Sequence, residues 1–135
     1  PAYTDYTIKS RVSEGASLTG AFKTAVEVYW SENGTLSGLT DGSINPVTLG
    51  LTAVNGQYVS SVLIENLGAN ANPTIEVNLH TQTLKLGDIP ANGGADGGCF
   101  TYTPDTSNGA GSNIIWSVGD GACASPVPAK YRPKT

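Results

Sequence analysis

The sequence predicts an α+β fold, with one long N-terminal helix packed on an antiparallel sheet of about four strands. Three observations predict it. Apolar residues recur at three- and four-residue steps over the first quarter of the chain. Later segments alternate instead, in short runs rich in Val, Ile, Tyr and Thr that are separated by Gly, Asn and Pro. Finally, the 135 residues include 17 Gly and only 13% charged residues, a profile that suits a secreted, turn-rich β domain. A chain of this length buries roughly two-thirds of the surface exposed by its unfolded form, so residues 1–135 are expected to form one domain.

Residues 1–33 are the expected helix. Ile8, Val12, Leu18, Phe22, Val26 and Tyr29 fall on one face, widened by Ala21, Ala25 and Val28, with Lys9, Lys23 and Glu27 opposite. Asn33-Gly34 supplies the stop, since both residues tolerate the left-handed conformation. Gly15 and Gly20 each cost about 1 kcal/mol in a helix interior, so packing must hold this helix along its length. Arg11 lies on the apolar face, and Tyr3 and Tyr6 precede any obvious core. Two accounts fit them equally: first turns that project beyond the domain to meet other chains, or a frayed terminus with a snorkelling arginine. The chain opens at Pro1 and contains no Met, which leads us to expect that a preceding segment has been removed.

Residues 34–57 show neither period and read as a long αβ-loop, with strands to follow over 58–118. In Tyr58 to Leu67 the residues Tyr58, Val62 and Ile64 share a face. Thr74 to Thr81 alternates cleanly, with Ile75, Val77 and Leu79 inward and Glu76, Asn78 and His80 outward. Asn70 to Pro73 is the turn between them, and Thr83 to Leu86 extends the second strand or starts a short one. After the Gly-rich stretch 87–98, Cys99 to Pro104 carries Phe100 and Tyr102 on one face, and Asn113 to Val118 carries Ile114, Trp116 and Val118. These two runs are expected to pair as a hairpin across the turn-rich 105–112 connection. The tail, 124–135, holds three prolines and is expected to be irregular.

Composition excludes several functions. A formal charge of −4 argues against a nucleic-acid partner, which would need a basic face. No apolar run approaches the roughly 20 residues of a membrane span. His80 is the sole histidine and faces outward on its strand, which leaves no Ser-His-Asp arrangement to build. Glu65 and Glu76 sit on adjacent strands, with no apolar pocket evident to raise either pKa. No catalytic residues, cofactor or metal are therefore expected. Asp88, Asp96, Asp105 and Asp120 lie in Gly-rich loops but match no calcium motif, and they read as turn formers. Cys99 and Cys123 suggest either a disulfide in an oxidising compartment or two buried thiols. If bridged, they close a loop of about 25 residues, which is worth about 3.5 kcal/mol in the chain-entropy model.

The first fifteen residues, Pro-Ala-Tyr-Thr-Asp-Tyr-Thr-Ile-Lys-Ser-Arg-Val-Ser-Glu-Gly, resemble the point where a type IV pilin of the IVa class leaves its apolar helical half and enters its globular head. The order of helix, αβ-loop, strands and Cys-bounded C-terminal region is similar too. Ile114-Ile-Trp116 is similar to the family's late strand, and Lys130-Tyr-Arg-Pro133 to its ending. One departure stands out. Relatives place their first Cys just after that Trp and their second near the C-terminus, whereas here the pair is Cys99 and Cys123, enclosing the final hairpin region 99–123 and leaving the tail outside the bridge.

The resemblance implies a pilin fold and a structural role rather than an enzymatic one. The chain would be a subunit of a bacterial cell-surface filament used for adhesion or twitching motility, assembled non-covalently from copies of itself by pilus machinery. A host or surface receptor would be a further partner. The inner membrane would hold the subunit through a preceding apolar segment before it moves from the periplasmic side to the extracellular pilus. Tyr3, Tyr6, Arg11 and Glu14 are the candidate contacts between subunits. A minor pilin or a type II secretion pseudopilin is the nearest alternative. A secreted carbohydrate-binding module is a further one, but it would want Tyr58, Tyr102 and Trp116 in an exposed row.

Overall fold

The computed structural model describes residues 2–36, 39, 51, 56–65, 73–80, 98–109, 111–120 and 126–134. Two helices come first, α1 (Ala2–Leu18) and α2 (Gly20–Asn33), and four strands follow: β1 (Val59–Glu65), β2 (Thr74–Leu79), β3 (Cys99–Asp105) and β4 (Ile115–Gly119). The strands form one antiparallel sheet in the order β1-β2-β3-β4. The helical segment lies across one face of that sheet. Ile8, Val12, Phe22 and Val26 are buried there against Val59, Val62, Ile64, Ile75, Val77, Leu79, Phe100 and Tyr102. Most of the αβ-loop, the 70–72 turn, Thr83 to Leu86, Gly87 to Gly97 with Asp88 and Asp96, and Cys123 lie outside the described residues.

The expected single helix is interrupted at Thr19. Its ψ of −9° departs from helical geometry, and its hydroxyl donates 2.9 Å to the Ala16 carbonyl oxygen. The Lys23 N–H then bonds back to the Thr19 carbonyl and starts α2. Thr19 is fully buried, hydrogen-bonded to the Tyr102 hydroxyl, so the interruption sits directly over the sheet. The expected stop holds: Gly34 adopts φ 69° and donates its N–H to the Trp30 carbonyl.

Gly15 has a reason beyond its helix-propensity cost. A Cβ there would stand 2.8 Å from Phe100 Cζ and 2.9 Å from Val77 Cγ1, so glycine sets how closely α1 approaches β2 and β3. The helix face also differs from its expected width. Ala21 and Val28 are exposed, while Lys23, expected opposite the core, lies with its ammonium 3.9 Å from the centre of the Tyr102 ring. A long stem lets a lysine cover an aromatic edge that a short alanine does not reach. Partial burial pushes that ammonium below its ordinary range, opposed by the charge of Glu27.

In β2 the alternation matches the sequence, with Ile75, Val77 and Leu79 buried. In β1 Val59, rather than Tyr58, faces the core. The pairing steps from Val59↔Leu79 to Ser61↔Asn78, which leaves Ser60 as an extra residue. That bulge puts Val59 and Val62 on the same face although they are three apart. The hairpin of β3 and β4 forms as expected, in register from Thr101↔Gly119 to Asp105↔Ile115. Pro104 lies beyond the last β2 partner, Tyr102, where the strand pairs with β4 alone.

The tail is docked onto the fold. Pro126 bridges Cys99 in parallel, and the Val127 N–H donates 2.8 Å to the Cys99 carbonyl oxygen. A 3-10 turn over Ala129–Tyr131 then packs against α1, with Val127 and Tyr131 buried in the core. The three prolines deny the tail a ladder of its own, but a single bridge and two apolar anchors suffice to seat it.

Candidate assembly surface

Among the described side chains, those before Ile8 in α1 carry no core. Tyr3 is 88% exposed and Tyr6 76%, whereas Ile8 and Val12, one turn further on, are fully buried. A soluble surface seldom spends two adjacent tyrosines this way, since an amphipathic ring gains most at a boundary where one side is covered. The helix thus passes from an exposed start to a seated middle within about two turns.

Arg11 and Glu14 lie at the edge of the seated part, where both are engaged inside the chain. The Arg11 guanidinium stands 5.4 Å from the centre of the Tyr58 ring. Glu14 Oε1 accepts the N–H groups of Tyr58 at 3.0 Å and Val59 at 3.2 Å, caring for two backbone donors where β1 begins. Gly56 leaves room for that carboxylate, since a Cβ there would fall on it. His80 closes the same knot: its N–H donates to the Tyr58 carbonyl at 2.8 Å, and its ring Nε2 donates to the Gly56 carbonyl at 3.0 Å. The outward histidine expected from strand alternation is therefore a half-buried clamp. Sequence reasoning missed Glu14 as a strand cap. Its signal was the i, i+4 relation to Leu18, which puts both on the sheet side.

At the other end of the helical segment two indoles tie α2 to the β3–β4 hairpin. Trp30 Nε1 donates to the Ser112 carbonyl at 3.0 Å, and Trp116 Nε1 reaches Glu27 Oε2 at 3.4 Å. Tyr102 is buried, Trp116 partly so, and Tyr58 is covered by Arg11, so no exposed aromatic row is formed from these three.

Glu65 and Glu76 share the sheet face away from the helix, diagonally across β1 and β2. Glu76 is half-buried, and its carboxyl is pushed up to about 7, first by burial and then by the hydrogen bond and charge of Glu65. The strand surface itself supplies the desolvation that the sequence did not reveal. Asp105 accepts the Ser107 N–H at 2.9 Å and so serves as a turn former. Among the described residues no trio of His, Cys, Asp or Glu is placed to hold a metal ion, and no helix is long and apolar enough to cross a membrane.

Cys99 is buried at the start of β3, and the described residues contain no free cysteine. Pro126, which bridges it, is three residues from Cys123 in sequence.

These features combine a helix with an exposed start, a four-stranded antiparallel sheet beneath its seated part, and a C-terminal segment returned to the helix. A family model described as pilin (bacterial filament) matches residues 8–135. The chain is also similar to the fimbrial protein EcpC of Eikenella corrodens, at 30% identity over 136 residues that take in all of this chain and 74% of that protein. Both matches run through the helix, the sheet and the docked tail, and the chain belongs to the pilin family of bacterial filament proteins.

Proposed function

We propose that this chain is the globular head of a type IV pilus subunit of the IVa class, polymerised non-covalently with its own copies into an extracellular filament. The observation that carries this reading is the exposure of Tyr3 and Tyr6 at the start of α1, just before the helix is seated on the sheet. A filament whose subunits meet through their helices needs an uncommitted stretch there. The role is structural: the subunit contributes a repeating surface. Adhesion and twitching motility are the uses we assign to the filament, with a surface receptor and the pilus assembly machinery as further partners.

In this reading an apolar helical segment precedes Pro1 and holds the subunit in the inner membrane until assembly. The intrachain roles of Arg11 and Glu14 move the proposed contacts toward Tyr3 and Tyr6. We also propose a Cys99–Cys123 disulfide that closes the hairpin region, a pairing supported by the bridge between Cys99 and Pro126. We further propose one domain over 1–135, with a helical segment 1–33, an αβ-loop 34–57, a sheet region 58–118, a disulfide-bounded hairpin region 99–123 and a docked tail 124–135.

The experiment is to shear filaments from cells that make the protein and identify their peptides by mass spectrometry, with and without reduction. Peptides of this chain as a main filament component, with the Cys99 and Cys123 peptides joined until reduced, are the expected result. Filaments lacking the chain, or the chain found only as a freely secreted protein, would end the proposal.

A further inference from the structure

We infer that the heads stack through charge, with a basic groove at the α1 end of one copy receiving the acidic α2 end of the next. This rests on the filament reading above and names the contact that orders the heads. The groove has a volume of about 640 Å³ and is lined by Lys9, Lys130, Arg132 and Lys134, beside Ser117 and Val118 of β4. Four of the seven Lys and Arg thus converge on one site in a chain of net charge −4. They stand on docked backbone. Arg132 donates from Nε to the Val127 carbonyl at 2.8 Å, and the turn carrying Lys130 is anchored by buried Tyr131. A groove held in place beforehand loses less freedom when it is filled.

The matching charge lies at the other end of the same molecule. Glu27 and Glu32 are exposed on α2, and β3 ends nearby at exposed Asp105. The indole bonds from Trp30 and Trp116 hold that end together. From Lys9 to Trp30 the helical path is about 30 Å. That is several times the distance over which salt screens exposed charges, so Lys9 and Glu32, at the far end of α2, do not neutralise one another within a head. A second copy can neutralise them. An outside polyanion would meet the groove only after crossing the field of a protein whose remaining surface is acidic, which favours a self-complementary partner. Contact between different patches of identical subunits is heterologous and, when it does not close, propagates as a helical filament. Exposed ion pairs are individually weak, so this contact orders heads that the helices already hold together.

The test is charge exchange in the full-length subunit, read as the number of surface filaments per cell. K9E/K134E and E27K/E32K avoid the buried anchors, E27K giving up only the exposed 3.4 Å bond from Trp116, and each is expected to reduce filaments about tenfold, as several coupled surface pairs would. Combining all four should restore them, because the ends are again complementary. A control, K9E/K134E with E65K/E76K on the outer sheet face, has the same formal net charge as the combined variant and should not restore them. Thermal melts of each head within a few degrees of wild type exclude misfolding.

The inference is overturned if either pair alone leaves filaments unchanged, or if the combined variant is no better than its parts. It is also overturned if the outer-face control rescues equally, which would make net charge the cause. Normal filaments that have lost only their retention on heparin would assign the groove to an outside polyanion instead. If the wild-type chain is absent from filaments, the filament reading itself fails. If wild-type filaments form but the exchange does not rescue, only the charge contact fails.

Discussion

The start of α1 and its junction with α2 belong to one helical segment but obey different constraints. At Tyr3 and Tyr6 the side chains lie mostly in solvent, while from Gly15 to Phe22 the sheet-facing groups pack on the sheet. Gly15 admits Phe100, Thr19 reaches Tyr102, and Phe22 fills the core. The contrast teaches that helix propensity decides neither region. The junction keeps a glycine and a non-helical threonine because packing rewards them, and the start keeps two aromatics that lie outside the core.

The contrast can be broken most severely from the core side. Phe22→Ala should lower stability by about 4 kcal/mol through lost burial and the cavity left behind, as read from urea melts of the head. Gly15→Ala comes next, at about 2 kcal/mol, because its Cβ meets Phe100 and Val77 at under 3 Å and the helix must lift. A neutral or stabilising result, as expected of an ordinary helix glycine, would remove the close-approach account. Glu14→Ala should cost about 1.5 kcal/mol by leaving the Tyr58 and Val59 N–H groups without their acceptor. The same change should loosen the β1 start, seen as faster amide exchange at those two residues.

A smaller effect sharpens the outer face against the inner one. The Glu76 carboxyl, at about 7 in the fold, keeps its proton between pH 4.5 and 7 where the unfolded chain has released it. The stability this carboxyl contributes should therefore be greatest below about pH 4.5, fall as pH rises toward 7, and level off above. Because the group is half exposed and hydrogen-bonded to Glu65, we expect about 1 kcal/mol in total, after allowing for solvent screening. Glu76→Gln should flatten that slope, and a slope that persists would place the titration elsewhere.

Much of this was legible in the residues, for reasons that particular elements make plain. β2 was readable because nothing interrupts its alternation. The Gly34 stop was readable because few residues adopt its dihedral angles. β1 was misread by one residue at its start, since the bulge at Ser60 is set by pairing with β2 and leaves no trace in the apolar pattern. Gly15 read as a cost because its benefit lies on β2 and β3, more than sixty residues away. The tail read as irregular, since prolines announce the lack of a ladder but not the burial of Val127 and Tyr131. At the proposed assembly surface the lack of a core around Tyr3 and Tyr6 was legible, while Arg11 and Glu14 take their partners from the segment 56–59, which sequence spacing does not reveal.

The most direct measurement of the central claim, that the start of α1 is kept for neighbouring subunits, is the double variant Tyr3→Ser with Tyr6→Ser. Made in the head alone, it should change stability by less than about 0.5 kcal/mol, as exposed positions do. Made in the full-length subunit, it should sharply reduce surface filaments while the protein still accumulates in the cell. Normal filament numbers with an unchanged head, or a head destabilised as much as by Gly15→Ala, would contradict the account.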